Sequence, residues 1–181
     1  YAFYQFWLGT ADADVYKFLS YFTFLPVEQI ARIEEEDKAA QGRPQAQAVL
    51  AEEVTRLVHG QEGLDAALRI TEALFSGSLS DLSADDLAQL AQDGLPTTNV
   101  TRGDLPATLT QLLSDVDAVA SGKQAKDALS RSAVTVNGAA LGMDVNANPE
   151  AWFPVGSALA GKFYLVKVGK KKHHLFVISG G

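Results

Sequence analysis

The amino-acid sequence predicts an α-helical bundle followed by a small α+β domain. Apolar residues recur at helical spacing through residues 1–95, and capping residue types stand where the runs begin and end. Beyond residue 130 the pattern turns to alternation, with an Asn-Gly pair and a glycine placed for chain reversals. Charge divides in the same way: residues 1–95 hold 6 Lys+Arg against 16 Asp+Glu, and residues 96–181 hold 9 against 6. Opposite charge on two differently patterned halves points to two modules. The expected bounds are 1–95 for the bundle, 96–107 for a linker and 108–181 for the second domain. The break falls in "QDGLPTTNVTRGDLP", where Gly94, Pro96, Gly103 and Pro106 interrupt every helical period.

Each helix of the first module has its own signal. In "DADVYKFLSYF", Val15, Phe18, Leu19 and Phe22 recur at i, i+3, i+4 and i+7, and Asp12 or Asp14 sits where a carboxylate meets the positive end of a helix. Pro26 restarts a helix, "PVEQIARIEEEDKA", that ends before "QGRP". "AQAVLAEEVTRLVHG" places Val49, Leu50, Val54, Leu57 and Val58 on one face and stops at Gly60, a residue suited to a left-handed cap. "LDAALRITEALFSG" repeats the device with Gly77. In "LSADDLAQLAQDG", Ser83 is the expected N-cap, with Asp86 three residues on and Leu82 and Leu87 placed as a hydrophobic staple. Helices of this length and number make a small bundle.

The second module opens with two short helices, "DLPATLTQLLSDV" and "GKQAKDALSRS". "AVTVNG" then alternates like a strand and ends in a hairpin-turn signal. "GKFYLVKVGKKKHHLFVIS" reads as a hairpin reversing at Gly169. Phe163, Leu165 and Val168 are its apolar positions on one strand, and Leu175, Phe176, Val177 and Ile178 on the other. Two helices against a few strands make a compact α+β unit.

A chain of 181 residues, 47% hydrophobic, can bury one good core or two small ones. No apolar run approaches the roughly 18 to 20 residues of a membrane span, so no membrane partner is expected. Absence of cysteine excludes disulfides, thiolate metal sites and cysteine nucleophiles, and fits a reducing compartment. With no secretory signal pattern, a cytoplasmic location is expected. The first residues, "YAFYQFW", lack a methionine, as expected of a processed chain or a piece of a longer one. GxxxxGK[ST], strand-linked GxGxxG, HExxH and GxSxG are all missing, so no catalytic residue is expected.

The charged and aromatic clusters each admit two readings. His59, His173 and His174 are the only histidines; the last two point to opposite faces of a strand, and His59 suits a helix C-terminus, so no metal site is expected. "RIEEEDK" reads as a solvated helix face before it reads as a cation site. Lys170, Lys171 and Lys172 form either a nucleic-acid contact or a solvated tip that discourages edge pairing. Lys123 and Lys126, a second basic pair in the same module, tip that balance toward nucleic acid. Tyr1, Phe3, Tyr4, Phe6 and Trp7 are too many aromatics for a free terminus, and suit base stacking or packing against a further domain.

Several stretches carry a family resemblance. "YQFWLGTADADVYKFLSYFTF", "LAEEVTRLVHGQEGLDAALRITEALFSG" and "LAQDGLP" resemble the segments that follow the ATP-binding signature loop in bacterial tyrosyl-tRNA synthetases. "ASGKQAKDALSRSAVTVNG" with "GKFYLVKVGKKKHHLFVI" is similar to that family's C-terminal S4-like RNA-binding domain. The resemblance implies an α-helical anticodon-binding domain followed by an S4-like domain, without the catalytic domain and its HIGH-like and KMSKS-like motifs. ATP and Mg, and the contacts of a homodimer, would then belong to that absent domain, leaving this chain a monomer or weakly self-associating. The implied partner is tyrosine tRNA, held at its anticodon stem-loop and variable arm.

The resemblance also suggests site residues. An aspartate in "TADAD", Asp12 or else Asp14, would read the anticodon by accepting hydrogen bonds from a guanine edge, although a plain N-cap also fits these positions. Tyr1, Phe3, Tyr4 and Trp7 would pack against the catalytic domain. Family members commonly begin the second S4 helix with Ser-Arg and place Arg three or four residues later; here Ser121-Gly122 and Lys126 stand there, with Lys123 beside them. Lysine keeps the attraction for phosphate but not the two-pronged geometry of arginine. The rival to an RNA-binding role is an acidic helical module that contacts protein.

Overall fold

A computed structural model describes residues 1–42, 44–170 and 172–180. The chain forms two compact units, Tyr1–Thr71 and Glu72–Gly181. It is rich in helix and carries one small mixed sheet.

The first unit is built from α1 (Ala2–Leu8), α2 (Val15–Phe22), α3 (Val27–Ala39) and most of α4 (Ala46–Ser76). Gly60 breaks α4 at φ 72° and ψ 180°, a backbone region essentially confined to glycine, so the expected stop is a sharp kink between two helical arms. Val15, Leu19, Ile30, Ile33, Leu50 and Val54 bury together, as the helical spacing of α2 and α4 requires. Tyr4 of α1 buries separately with Ala51, Leu64 and Ala67, one from the arm before the kink and two from the arm after it. Leu57 and Val58, expected on the buried face, are instead 56% and 58% exposed. They occupy the last turn before Gly60, where the buried face of α4's first arm has already ended at Val54 and Thr55.

One carboxylate ties three of these helices. Asp37 of α3 accepts the backbone N–H groups of Gln45 at 2.7 Å and Ala46 at 3.1 Å, so it caps the start of α4 from outside that helix. It also accepts the Tyr16 hydroxyl of α2 at 3.0 Å. Partial burial, then this hydrogen bond, pushes the Tyr16 phenol up to about 12.

In the second unit α5 (Ala84–Gln89) opens with the expected capping box: Ser83 Oγ accepts the Asp86 N–H at 3.1 Å, and the Asp86 carboxylate accepts the Ser83 N–H at 2.9 Å. Then come β1 (Thr97–Thr101), α6 (Leu109–Asp115), α7 (Gly122–Ser130), β2 (Val134–Val136), β3 (Ala139–Leu141), α8 (Pro149–Trp152), β4 (Phe163–Val168) and β5 (Lys172–Ser179). The strands line up as β1-β5-β4-β2-β3, with β1 parallel to β5 and every other pair antiparallel. Residues 97–101, inside the stretch read as linker, are therefore an edge strand of the sheet.

Alternation assigns the two faces of this sheet. Val134, Val136, Tyr164, Val166, Phe176 and Ile178 point to the core shared with Leu109, Leu113, Ala125 and Leu129 of α6 and α7. Thr135, Leu165, Lys167, His173 and Leu175 point the other way. The Asn-Gly signal is realised as a tight turn: Asn137 and Gly138 take φ of 47° and 86° between β2 and β3. Asn137 also accepts the Leu165 N–H at 2.8 Å and donates to the Ser157 carbonyl at 2.6 Å, locking the turn to β4 and the preceding loop.

Candidate nucleic-acid interface

Helix α7 begins with a double cap. Ser121 Oγ accepts the Gln124 N–H at 3.3 Å, and Gln124 Oε1 accepts the Ala120 N–H at 3.2 Å. Ala125, Ala128 and Leu129 bury, which leaves Lys123 and Lys126 on the solvent side of the same helix, both exposed. Lys170 and Lys172 flank the end of the β4–β5 hairpin and are also exposed, whereas Lys171 lies outside the described residues. Lys167 went unmarked among the expected contacts; it sits between Val166 and Val168, and the two-residue period turns it to the face opposite theirs.

Other basic side chains of this unit are spent on structure. The Arg102 guanidinium donates to the Phe153 carbonyl at 2.8 Å and the Tyr164 hydroxyl at 3.3 Å. Arg131 pairs with Asp127 one turn earlier on α7. Lys162 lies 5.1 Å from the centre of the Phe163 ring.

The two aspartates of the first unit differ. Asp14 occupies the N-cap position of α2 but its side chain makes no capping bond. Asp12, in the turn before α2, accepts a hydrogen bond from Gln47 Nε2 of α4 at 2.6 Å. Asp12, Gln47, Leu8, Thr10 and Pro44 line a small cleft of about 180 Å³. Plain N-capping thus accounts for neither carboxylate. Gln47 itself is buried, its Oε1 has no hydrogen-bond partner, and no local pattern marked it in the sequence.

The aromatic start divides unexpectedly. Tyr4 is 4% exposed and belongs to the chain's own core, so it is removed from the expected contacts with a further domain. Phe3 and Trp7 are half-buried against the first unit's core, and Tyr1 is partly covered, which raises its phenol above the ordinary value. Phe6, by contrast, is 71% exposed. It touches Trp7 edge-on at 5.4 Å, Trp7 meets Phe22 at 5.1 Å, and Phe22 meets Tyr21 at 6.5 Å, so the exposed aromatics form one surface.

Among the described residues no three His, Asp or Glu side chains group as metal ligands would. His59 lies edge-on to Phe3 at 4.8 Å. His174 is buried on the core face, hydrogen-bonded to Thr98 Oγ1 at 2.8 Å and packed at a tilt against the Phe176 ring at 4.8 Å. Burial there lowers its pKa. None of the described helices is long and apolar enough to cross a membrane.

Two family models divide the chain between them. Residues 1–76 match "tRNA synthetases class I (W and Y)", and residues 86–176 match "Tyrosine--tRNA ligase SYY-like C-terminal domain". The chain belongs to the tyrosine-tRNA ligase family. The ligase of Aliivibrio fischeri strain ES114 is 52% identical over 98% of this chain and 40% of its own length. That of Escherichia coli O9:H4 strain HS is 51% identical over 97% of this chain and 39% of its own length. The chain therefore spans about two fifths of these tyrosine-tRNA ligases. A C-terminally truncated mitochondrial tyrosyl-tRNA synthetase from Aspergillus nidulans aligns at 40% identity, with a TM-score of 0.37, over 40% of this chain and 20% of that one.

Proposed function

We propose that this chain is the tRNA-binding portion of a tyrosyl-tRNA synthetase: an α-helical anticodon-binding domain and an S4-like domain that hold the anticodon stem-loop and the variable arm. The observation that carries the reading is family membership along nearly the whole chain, at 52% identity to the Aliivibrio fischeri ligase. Exposed Lys123 and Lys126 on α7, with Lys170 and Lys172 at the hairpin end, supply cations of the kind that neutralise phosphates. Asp12 supplies a carboxylate held in place by Gln47. In this reading the catalytic domain of the longer protein binds ATP and Mg, forms the homodimer, activates tyrosine and charges the tRNA. This chain orients the tRNA for it.

Titration of tyrosine tRNA into the chain at two salt concentrations tests the proposal. Binding should weaken as salt rises, with log K falling by roughly 0.9 per tenfold rise in salt for each duplex phosphate neutralised. The double variant Lys123→Gln/Lys126→Gln should reduce that slope by about 1 to 2, since lysines that touch phosphate contribute about one each. No binding at low salt, or binding indifferent to salt, would leave the acidic protein-contact module as the better account.

A further inference from the structure

Asn137 precedes Gly138, whereas the other asparagines, Asn99, Asn146 and Asn148, precede Val100, Ala147 and Pro149. Asparagine followed by glycine is the pair most open to deamidation, since glycine has no side chain to hinder its backbone nitrogen. The folded turn between β2 and β3 works against that chemistry. Asn137 Oδ1 accepts the Leu165 N–H at 2.8 Å, and Nδ2 donates to the Ser157 carbonyl at 2.6 Å. The Asn137 N–H also donates to the Leu165 carbonyl at 2.9 Å. Burial supplies little of the restraint: Asn137 is half-buried, Gly138 is exposed, and among the described residues a Cβ on Gly138 would meet no neighbour within 4 Å.

We infer that Asn137 is a modification site gated by folding, its carboxamide kept while the second unit is folded and lost by deamidation when that unit opens. In the reaction the Gly138 nitrogen bonds to Asn137 Cγ, the Cγ–Nδ2 bond breaks, and Nδ2 leaves as ammonia with the Gly138 amide proton. Water then opens the cyclic imide to aspartate or isoaspartate. Attack makes Cγ tetrahedral and expels Nδ2, so on the folded turn it sacrifices both side-chain hydrogen bonds at once. An unfolded chain has neither to lose. The product cannot restore the whole lock: where Nδ2 donated, a carboxylate oxygen would face the Ser157 carbonyl, acceptor against acceptor. Isoaspartate also lengthens the backbone of a turn that sets the register of β2 against β3. Unfolding that outlasts the imide step therefore becomes irreversible.

Peptide mapping of the whole chain, incubated at mildly alkaline pH with and without guanidinium chloride, tests the site. In denaturant, residue 137 should gain the mass of an amide-to-acid change at least about tenfold faster than in native buffer, the protection that a closed hydrogen-bonded segment gives. It should also outpace Asn99, Asn146 and Asn148 at least about tenfold, as glycine's unhindered nitrogen requires. Mapping by peptide keeps the result apart from Asp93-Gly94, which passes through the same imide without a change of mass. Asn137→Asp should lower the melting temperature by at least about 4 °C, through the lost hydrogen bonding. Parent chain refolded after long incubation in denaturant should melt in the same lowered range. Asn137→Ser, which cannot form the imide, should melt identically before and after that incubation. Equal conversion rates in denaturant and native buffer, no preference for residue 137 in denaturant, a converted chain that regains the parent melting temperature, or Asn137→Asp melting with the parent would overturn the inference.

Discussion

Gln47 and Asp12 meet across 35 positions of sequence, and their contact changes what the aspartate can do. A carboxylate at the mouth of a turn ordinarily caps the following helix. Asp12 leaves that position to Asp14, whose side chain makes no cap bond, and spends one oxygen on the Gln47 amide. Gln47 Nε2 also reaches toward the Thr10 carbonyl at 3.5 Å, which fixes the amide's orientation and turns Oε1 inward without a partner. An unpaired buried acceptor costs about 1 to 3 kcal/mol, a penalty the fold accepts while the amide orients Asp12. If Asp12 reads an anticodon guanine, Asp12→Asn should cut the preference for that guanine over other bases roughly 10- to 100-fold, as for a lost hydrogen bond to a charged group. Gln47→Ala should cut it by a smaller factor while leaving salt dependence unchanged. Affinities for tRNAs differing only at that base measure both, and an undiminished preference in Asp12→Asn would remove the residue from the site. The aspartate stands out through the family resemblance of "TADAD", with a plain N-cap as the rival reading; its contact with Gln47 was not legible, because nothing local announces a partner 35 residues away.

Elements whose signals are local were the ones the sequence disclosed. Ser83 with Asp86 and Asn137 with Gly138 each state their geometry within a few residues and adopt it, whereas Gly60, expected to end a helix in a left-handed cap, kinks one instead. Strand β1 is the counterexample. "TTNVT" has one large apolar side chain and sits between Pro96 and Gly103, so its strand character comes from pairing with β5, some 78 residues later. His174 holds that pairing from the side, through Thr98 of β1 and the ring of Phe176. Its pKa is lowered in the folded chain, so the unfolded chain takes up the proton first as pH falls below about 6.5. Stability should therefore decline from the ordinary histidine pKa down to the depressed one and level off beyond it. Thermal unfolding from pH 7.5 to 5 should show that decline. In His174→Gln it should be flatter, and β1 amides should exchange faster in acid in the parent chain alone. Equal slopes in both proteins would mean that other groups set the acid response.

Across the whole chain, net charge describes its surfaces poorly. Of the nine basic residues after position 95, Arg102 and Arg131 are committed to internal partners, so the cationic surface rests on lysines of α7 and the hairpin. The first unit carries the acidic excess, yet its most unusual surface is apolar. Phe6, Tyr21, Phe24 and Val27 are 71%, 67%, 89% and 75% exposed. Phe24 and Leu57 line one shallow pocket, while Phe6, Trp7, Phe22 and Tyr21 are linked ring to ring. Exposed rings gathered in this way mark a surface that another body covers. On the proposed function, that body is the remaining part of a longer tyrosine-tRNA ligase. Isolated from it, the chain should self-associate reversibly through these rings. Burying a Phe side chain is worth roughly 1.5 to 3 kcal/mol, so two of them are enough to drive weak dimerisation. Phe6→Ser/Phe24→Ser should shift the association constant at least about tenfold toward monomer in sedimentation equilibrium. Its melting temperature should remain within a few degrees, because neither ring is buried in the monomer. A parent chain that stays monomeric at millimolar concentration, or a double variant that associates equally well, would show that the aromatic surface is covered by nothing of its own kind.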